Sequence, residues 1–270
     1  SEMKKLVLVA AIAATTFGAV STAQAVEVTT TANANLTTDY KFRGISQTNG
    51  GPAFQGGFDA AFSNGFYLGN WNSNVNFPSA VDAMGNLVPG SSGSAGLEMD
   101  FYGGYAGSFA NGIGYDVGAL YYFYEGVTIA PGAAELDTLE IYGKLTYGPV
   151  YAKLSYAASE DYFGVAAANG NIDQSGSTYL DLGYTLPLSD KLSLTAHYGL
   201  TSFDKDVTNN RVGTGTLDSY ADYSLGATYA ISSKYSVTAA YIAVDDDGED
   251  FFNNEQITDG SLVVTFSAKF

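Results

Sequence analysis

From Ala34 to Phe270 the chain is written largely in short stretches where apolar and polar residues alternate. A period of two gives a strand one apolar and one polar face. The last stretch is the plainest: Leu262, Val264, Phe266, Ala268 and Phe270 alternate with Val263, Thr265, Ser267 and Lys269. The first predicted strand sets Ala34, Leu36, Thr38, Tyr40 and Phe42 against Asn35, Thr37, Asp39, Lys41 and Arg43. The second sets Phe54, Phe58, Ala60 and Phe62 against Gln55 and Asp59. The third places Tyr67, Gly69, Trp71, Ser73 and Val75 on its outer face, with Asn70, Asn72 and Asn74 between them. Continuing in this way, the pattern predicts twelve strands of roughly nine to eleven residues, the length a tilted strand needs to cross a hydrocarbon layer.

The connections alternate in length. Ser63 to Gly65, Gly107 to Gly112, Gly148-Pro149, Pro187 to Lys191 and Ile231 to Lys234 are short, while the others are mostly long, the first excepted. Charges keep to one parity. With each register set by its apolar residues, Asp39, Lys41, Arg43, Asp59, Glu98, Asp100, Asp116, Glu140, Lys144, Lys153, Asp181, Asp222 and Lys269 all fall on the opposite face. A terminal strand of a β-sandwich is the alternative reading, but an aromatic-ended free edge invites pairing with other chains, and closure removes that edge. The expectation is therefore an all-β, twelve-stranded antiparallel up-and-down transmembrane barrel. Its charges face the lumen, its termini meet at the short-turn end, and the first strand pairs with the last.

At the start, Met3, Lys4 and Lys5 precede the apolar run Leu6 to Ala14 and the small-residue site Ala23-Gln24-Ala25. These are the parts of a secretory signal peptide. Residues 1–25, with Ser1 and Glu2 as a scar before the Met, are expected to lie outside a mature domain of residues 26–270. Without Glu2, Lys4 and Lys5, the 28 acidic and 11 basic residues fall to 27 and 9. So acidic a chain does not suit nucleic acid. Cysteine is absent, which removes disulfides and thiolate metal ligation. The 32 Gly and 21 Tyr favour a sheet with tight turns.

The block from Leu36 to Thr48 (LTTDYKFRGISQT), with Gly56-Gly57-Phe58-Asp59, Gly65-Phe66-Tyr67, Glu98 to Tyr105, Asp161-Tyr162-Phe163-Gly164, Tyr179-Leu180-Asp181 and the closing strand, resembles the TorF-type porins, a proteobacterial outer-membrane family. The closing strand on its own resembles the C-terminal strand of bacterial outer-membrane barrels. The resemblance implies an outer-membrane barrel with pore activity. It names no solute and supplies no catalytic residue.

The chemistry expected of the lumen is that of the thirteen charges above together with His197, taken as pore-lining residues. His197, beside Ser193 and Thr195 on an inward face, is the chain's single histidine. An outer-membrane lipid hydrolase is the lesser alternative, but its serine and histidine would act at the lipid-facing surface and no clear Ser-His-acid arrangement accompanies His197, so neither catalysis nor a cofactor is expected. The run Asp245 to Asp250 lacks EF-hand spacing and reads as a solvated loop. Among the charged residues of the long connections all are acids except Lys205 and Arg211, which favours cations at that mouth. Expected partners are outer-membrane lipid, lipopolysaccharide, and small hydrophilic solutes or cations. Twelve strands fall between filled eight-stranded barrels and wide sixteen-stranded ones, so both a narrow path and a plug fit the sequence. Within that lumen Arg43 is expected to meet inward carboxylates, with Asp59 on the neighbouring strand, and Asp39 to approach Lys269.

Overall fold

The structure is a computed structural model and describes residues 26–77, 92–128, 135–165, 172–208 and 215–270. The signal-peptide expectation falls on residues 1–25, outside the described residues. Among the described residues fourteen strands form. Two of them, β2 (Lys41–Phe42) and β3 (Ile45–Ser46), make a small hairpin of their own. The other twelve are β1 (Val28–Thr37), β4 (Ala53–Phe62), β5 (Phe66–Phe77), β6 (Ser92–Ser108), β7 (Gly114–Thr128), β8 (Thr138–Tyr147), β9 (Val150–Ala157), β10 (Thr178–Pro187), β11 (Leu192–Thr208), β12 (Thr216–Ala230), β13 (Tyr235–Val244) and β14 (Ser261–Lys269).

These twelve close into one antiparallel barrel in which every strand pairs with its neighbour in the chain and β1 pairs with β14. The seam is tight, because Ala32 and Phe270 exchange both backbone hydrogen bonds, at 3.0 and 2.9 Å. An even strand number brings both termini to the end that carries the short turns. The barrel is apolar outside and polar within: Phe54, Leu225 and Leu262 are 69 %, 66 % and 66 % exposed, whereas Glu98 and Asp222 are 1 % and 2 % exposed. That outer band needs an apolar surrounding. Leu225→Arg, placing a cation on it, is expected to destabilise the barrel by about 2–4 kcal/mol in a bilayer, while Ser224→Arg on the inward face costs far less. Urea unfolding in lipid vesicles checks this.

The first expected strand divides. β1 stops at Thr37, so Tyr40 and Phe42 do not join the outer face and Asp39, Lys41 and Arg43 do not line a wall. The chain leaves the sheet and turns into the lumen, which makes the first connection, residues 38–52, long like the others. β5 takes the opposite register from that expected. Gly57 pairs with Trp71 and Asp59 with Gly69, so Tyr67, Trp71, Ser73 and Val75 face inward. The inward side rewards aromatics here because Tyr67 finds Asp116 and Trp71 finds Tyr40. The outward Asn70 and Asn72 satisfy each other and backbone carbonyls of Asp100 and Gly56. β11 runs to Thr208, well past Leu200. The acidic connection after β13 contains two short helices, α1 (Asp246–Phe252), capped by the Asp245 side chain, and α2 (Glu255–Thr258).

Candidate functional site

The site is the lumen and the hairpin that crosses it. β2 and β3 are joined by two residues only, Arg43 and Gly44, with φ of 48° and 80°. Positive φ at both positions is what a type I′ hairpin turn requires. Gly44 is fixed a second time by space: a Cβ there would meet Val244 Cγ1 and lie 2.8 Å from Asp222 Cβ on the wall. The base of the hairpin is fastened by Asp39, whose carboxylate accepts from Ser46 Oγ at 2.6 Å and Thr48 Oγ1 at 3.0 Å.

From this base the hairpin reaches most of the barrel. Tyr40 stacks edge-on against Trp71 of β5, centroids 5.5 Å apart, and its hydroxyl donates to Glu98 of β6 at 2.7 Å. Phe42 packs on Tyr122 of β7 and on Phe163, at 5.6 and 5.2 Å. Ile45 joins a buried apolar cluster with Phe203, Tyr220, Val244 and Phe251 of α1. Lys41 Nζ donates to the Asp259 carbonyl just past α2 at 2.6 Å. Burial lowers the Lys41 pKa, with Asp39 and Asp259 opposing.

The tip carries the strongest contact. Arg43 Nη2 meets both carboxylate oxygens of Glu140 on β8, at 2.7 and 2.9 Å, and Nη1 donates to the Tyr162 hydroxyl at 2.5 Å. Its guanidinium lies 4.2 Å from the Tyr179 ring centre and 4.7 Å from that of Phe42. Burial pushes the Tyr162 phenol up to about 12 although the guanidinium pulls the other way. A charge-assisted double contact in low dielectric is among the stronger polar links available to a protein.

Below the tip the wall is a lattice of tyrosines and carboxylates. Tyr102 donates to Asp59 and Tyr67 to Asp116, both at 2.5 Å, and Tyr67 also meets Tyr142. Tyr151 donates to Asp181 at 2.9 Å. His197 sits between two carboxylates, Nδ1 at 3.0 Å from Asp181 and Nε2 at 2.7 Å from Asp222, and Asp222 also accepts from Tyr179 at 3.0 Å. Several of these rings lie across an in-register glycine of the next strand, Tyr102 on Gly69 and Tyr142 on Gly118. Lys144 and Lys153, direct cross-strand partners, each cap a tyrosine ring at 4.3 Å.

The sequence-expected residues therefore divide into three groups. Asp39, Lys41 and Arg43 belong to the hairpin; Asp59, Glu98, Asp100, Asp116, Glu140, Lys144, Lys153, Asp181, His197 and Asp222 point inward from the walls; Lys269 stands at the short-turn rim, paired with Asn33. The expected approach of Asp39 to Lys269 is overturned, because Lys269 pairs with Asn33 in the middle of β1, while Asp39 lies beyond that strand with its carboxylate on Ser46 and Thr48. Arg43 meets a carboxylate, but it is Glu140 on the far side rather than Asp59. Tyr162 and Phe163, set within a long connection, were not expected in the lumen. The signal for them was their run of aromatics beside Gly164, which has φ 74°.

The same architecture occurs in solved structures. A NanC porin superposes with a TM-score of 0.51 at 11 % identity, over 90 % of this chain and 99 % of that one. A KdgM porin gives 0.49 at 7 % identity, over 89 % and 98 %. The outer membrane channel DcaP of Acinetobacter baumannii gives 0.41 at 11 %, over 94 % and 99 %. A comparison with curated protein sequences yields no match. The family described as a bacterial protein of unknown function, Gcw_chp, matches residues 21–270, and the chain belongs to that family.

Proposed function

We propose that the mature chain, residues 26–270 after loss of a signal peptide, is an outer-membrane porin. It passes small hydrophilic solutes or ions at low conductance and with a weak preference for cations. The observation that carries this reading is the sorting of side chains: an apolar outer band surrounds an interior of carboxylates, ammonium groups and phenols. A barrel that only needed to be filled could use apolar side chains and avoid the desolvation of so many charges. The resemblance of the Leu36 to Thr48 block to the TorF-type porins supports the same reading, and that block is the one that builds the hairpin. The acidic long connections favour cations at their mouth and suit divalent bridges to lipopolysaccharide phosphates.

A non-conducting barrel is the second reading. It is favoured by the apolar packing of the hairpin on Phe203, Tyr220 and Phe251 and by the Arg43–Glu140 lock. Reversal potential under a KCl gradient separates the two. Wild-type protein is expected to be mildly cation-selective. Arg43→Ala removes a cation from the hairpin tip inside the lumen and is expected to raise conductance and strengthen that preference. An unchanged reversal potential would refute a filter role for Arg43.

A further inference from the structure

Beneath the hairpin tip lies a cavity of about 330 Å³, lined by Arg43, Lys153, Tyr179, Asp181, His197 and Asp222 among others. A water's share of the liquid is about 30 Å³, so the space suits a small organic solute. Its charges are unequally satisfied. Asp181 is held by Tyr151 and His197, and Asp222 by His197 and Tyr179. Glu140, just outside, is held by Arg43. Lys41 on the hairpin side donates to the Asp259 carbonyl.

Two cationic donors remain. Among the described residues no carboxylate lies within 4.0 Å of the Lys153 ammonium, which lies over the Tyr142 ring while Glu140 and Asp181 attract it from beyond that distance. The Nε–H of Arg43 is buried and has no acceptor. Buried donors are normally paired, and each exception calls for a reason. Lys153 moreover stands directly opposite Lys144, a like-charge pair that destabilises a sheet unless something negative answers it. Asp116 pairs across β7–β8 with Lys144, and Asp181 across β9–β10 with Lys153. Both carboxylates are nevertheless occupied by tyrosine hydroxyls, and neither reaches its lysine at ion-pair distance.

We propose that this cavity binds a small carboxylate-bearing solute, its carboxylate received by Lys153 beside the Arg43 guanidinium. This rests on the porin reading, since it names the class of solute that pauses in the path. It is compatible with weak cation preference, because the acidic mouth acts on bulk ions and this pocket on a bound one.

Binding can be measured without conduction. Saturation-transfer NMR on the folded protein in detergent micelles, titrated with sodium lactate and with the uncharged isostere lactamide, compares the two ligands on the same site. Lactate is expected to bind with a millimolar Kd and lactamide not at all. Lys153→Gln should weaken lactate by at least about fivefold, while Lys153→Arg and the turn variant Lys191→Gln keep it. Equal signals from lactate and lactamide, or no signal from either, would overturn the site, and so would undiminished binding to folded Lys153→Gln. The lactate and lactamide comparison holds on wild-type protein even where a variant fails to fold. A barrel that binds lactate but passes no current would refute the porin reading and leave the site standing.

Discussion

Replacing Glu140 with Ala is expected to destabilise the barrel by about 3–5 kcal/mol, the range for breaking a buried ion pair by removing one partner. Glu140 is 2 % exposed and is the carboxylate in contact with the Arg43 guanidinium, which is itself buried. The single substitution leaves a desolvated cation at the hairpin tip with one hydroxyl and ring faces around it. Two outcomes are open to the chain: it carries that charge, or the hairpin swings out and the contacts that its Ile45 and Phe42 make are lost. Removing both partners is different, because no charge is then stranded. Arg43→Ala/Glu140→Ala is expected to be less destabilised than Glu140→Ala alone, a coupling that a double-mutant cycle reads directly. Urea unfolding in lipid vesicles supplies the four stabilities. Simple additivity would mean that the contact contributes nothing to holding the hairpin.

The second large effect is expected on conductance. β1 and β4 remain paired up to Thr37 and Ala53, so residues 38–52 can be exchanged for a two-residue Asn-Gly turn that closes the hairpin directly. The wall hydrogen bonds between those strands are retained. What leaves is Tyr40, Phe42, Arg43 and Ile45, the side chains that bridge β5, β6, β7, β8 and, through Tyr220 and Val244, the β12–β13 wall. Single-channel conductance is expected to rise severalfold, and the barrel to keep its β-sheet circular dichroism.

Most of the wall was legible in the sequence because a strand exposed to lipid on one side and water or polar groups on the other has to alternate. Glu98 and Asp100, or Glu140 and Lys144, could not change parity without placing a charge in hydrocarbon. β5 escaped this logic: it carries no charge, and its aromatics and asparagines offered two registers. The inward one won through Tyr67–Asp116 and Tyr40–Trp71, long-range pairs invisible in a local pattern. The hairpin was hidden for a related reason. Tyr40 and Phe42 continue the alternation of β1, so periodicity extends the strand through a segment that leaves it. Arg43-Gly44 was the local sign of a turn, since glycine at a positive-φ position is what a two-residue hairpin needs. The partners of Arg43 lie about a hundred residues away, at Glu140 and Tyr162, and no spacing rule reaches so far.

The most direct measurement is single-channel recording in planar bilayers of the intact chain beside the form in which Asn-Gly replaces residues 38–52. A lumen that is a solute path narrowed by the hairpin is expected to give small discrete steps from the intact chain and severalfold larger ones from the shortened chain. Silence from both, or steps of one size in both, would contradict it.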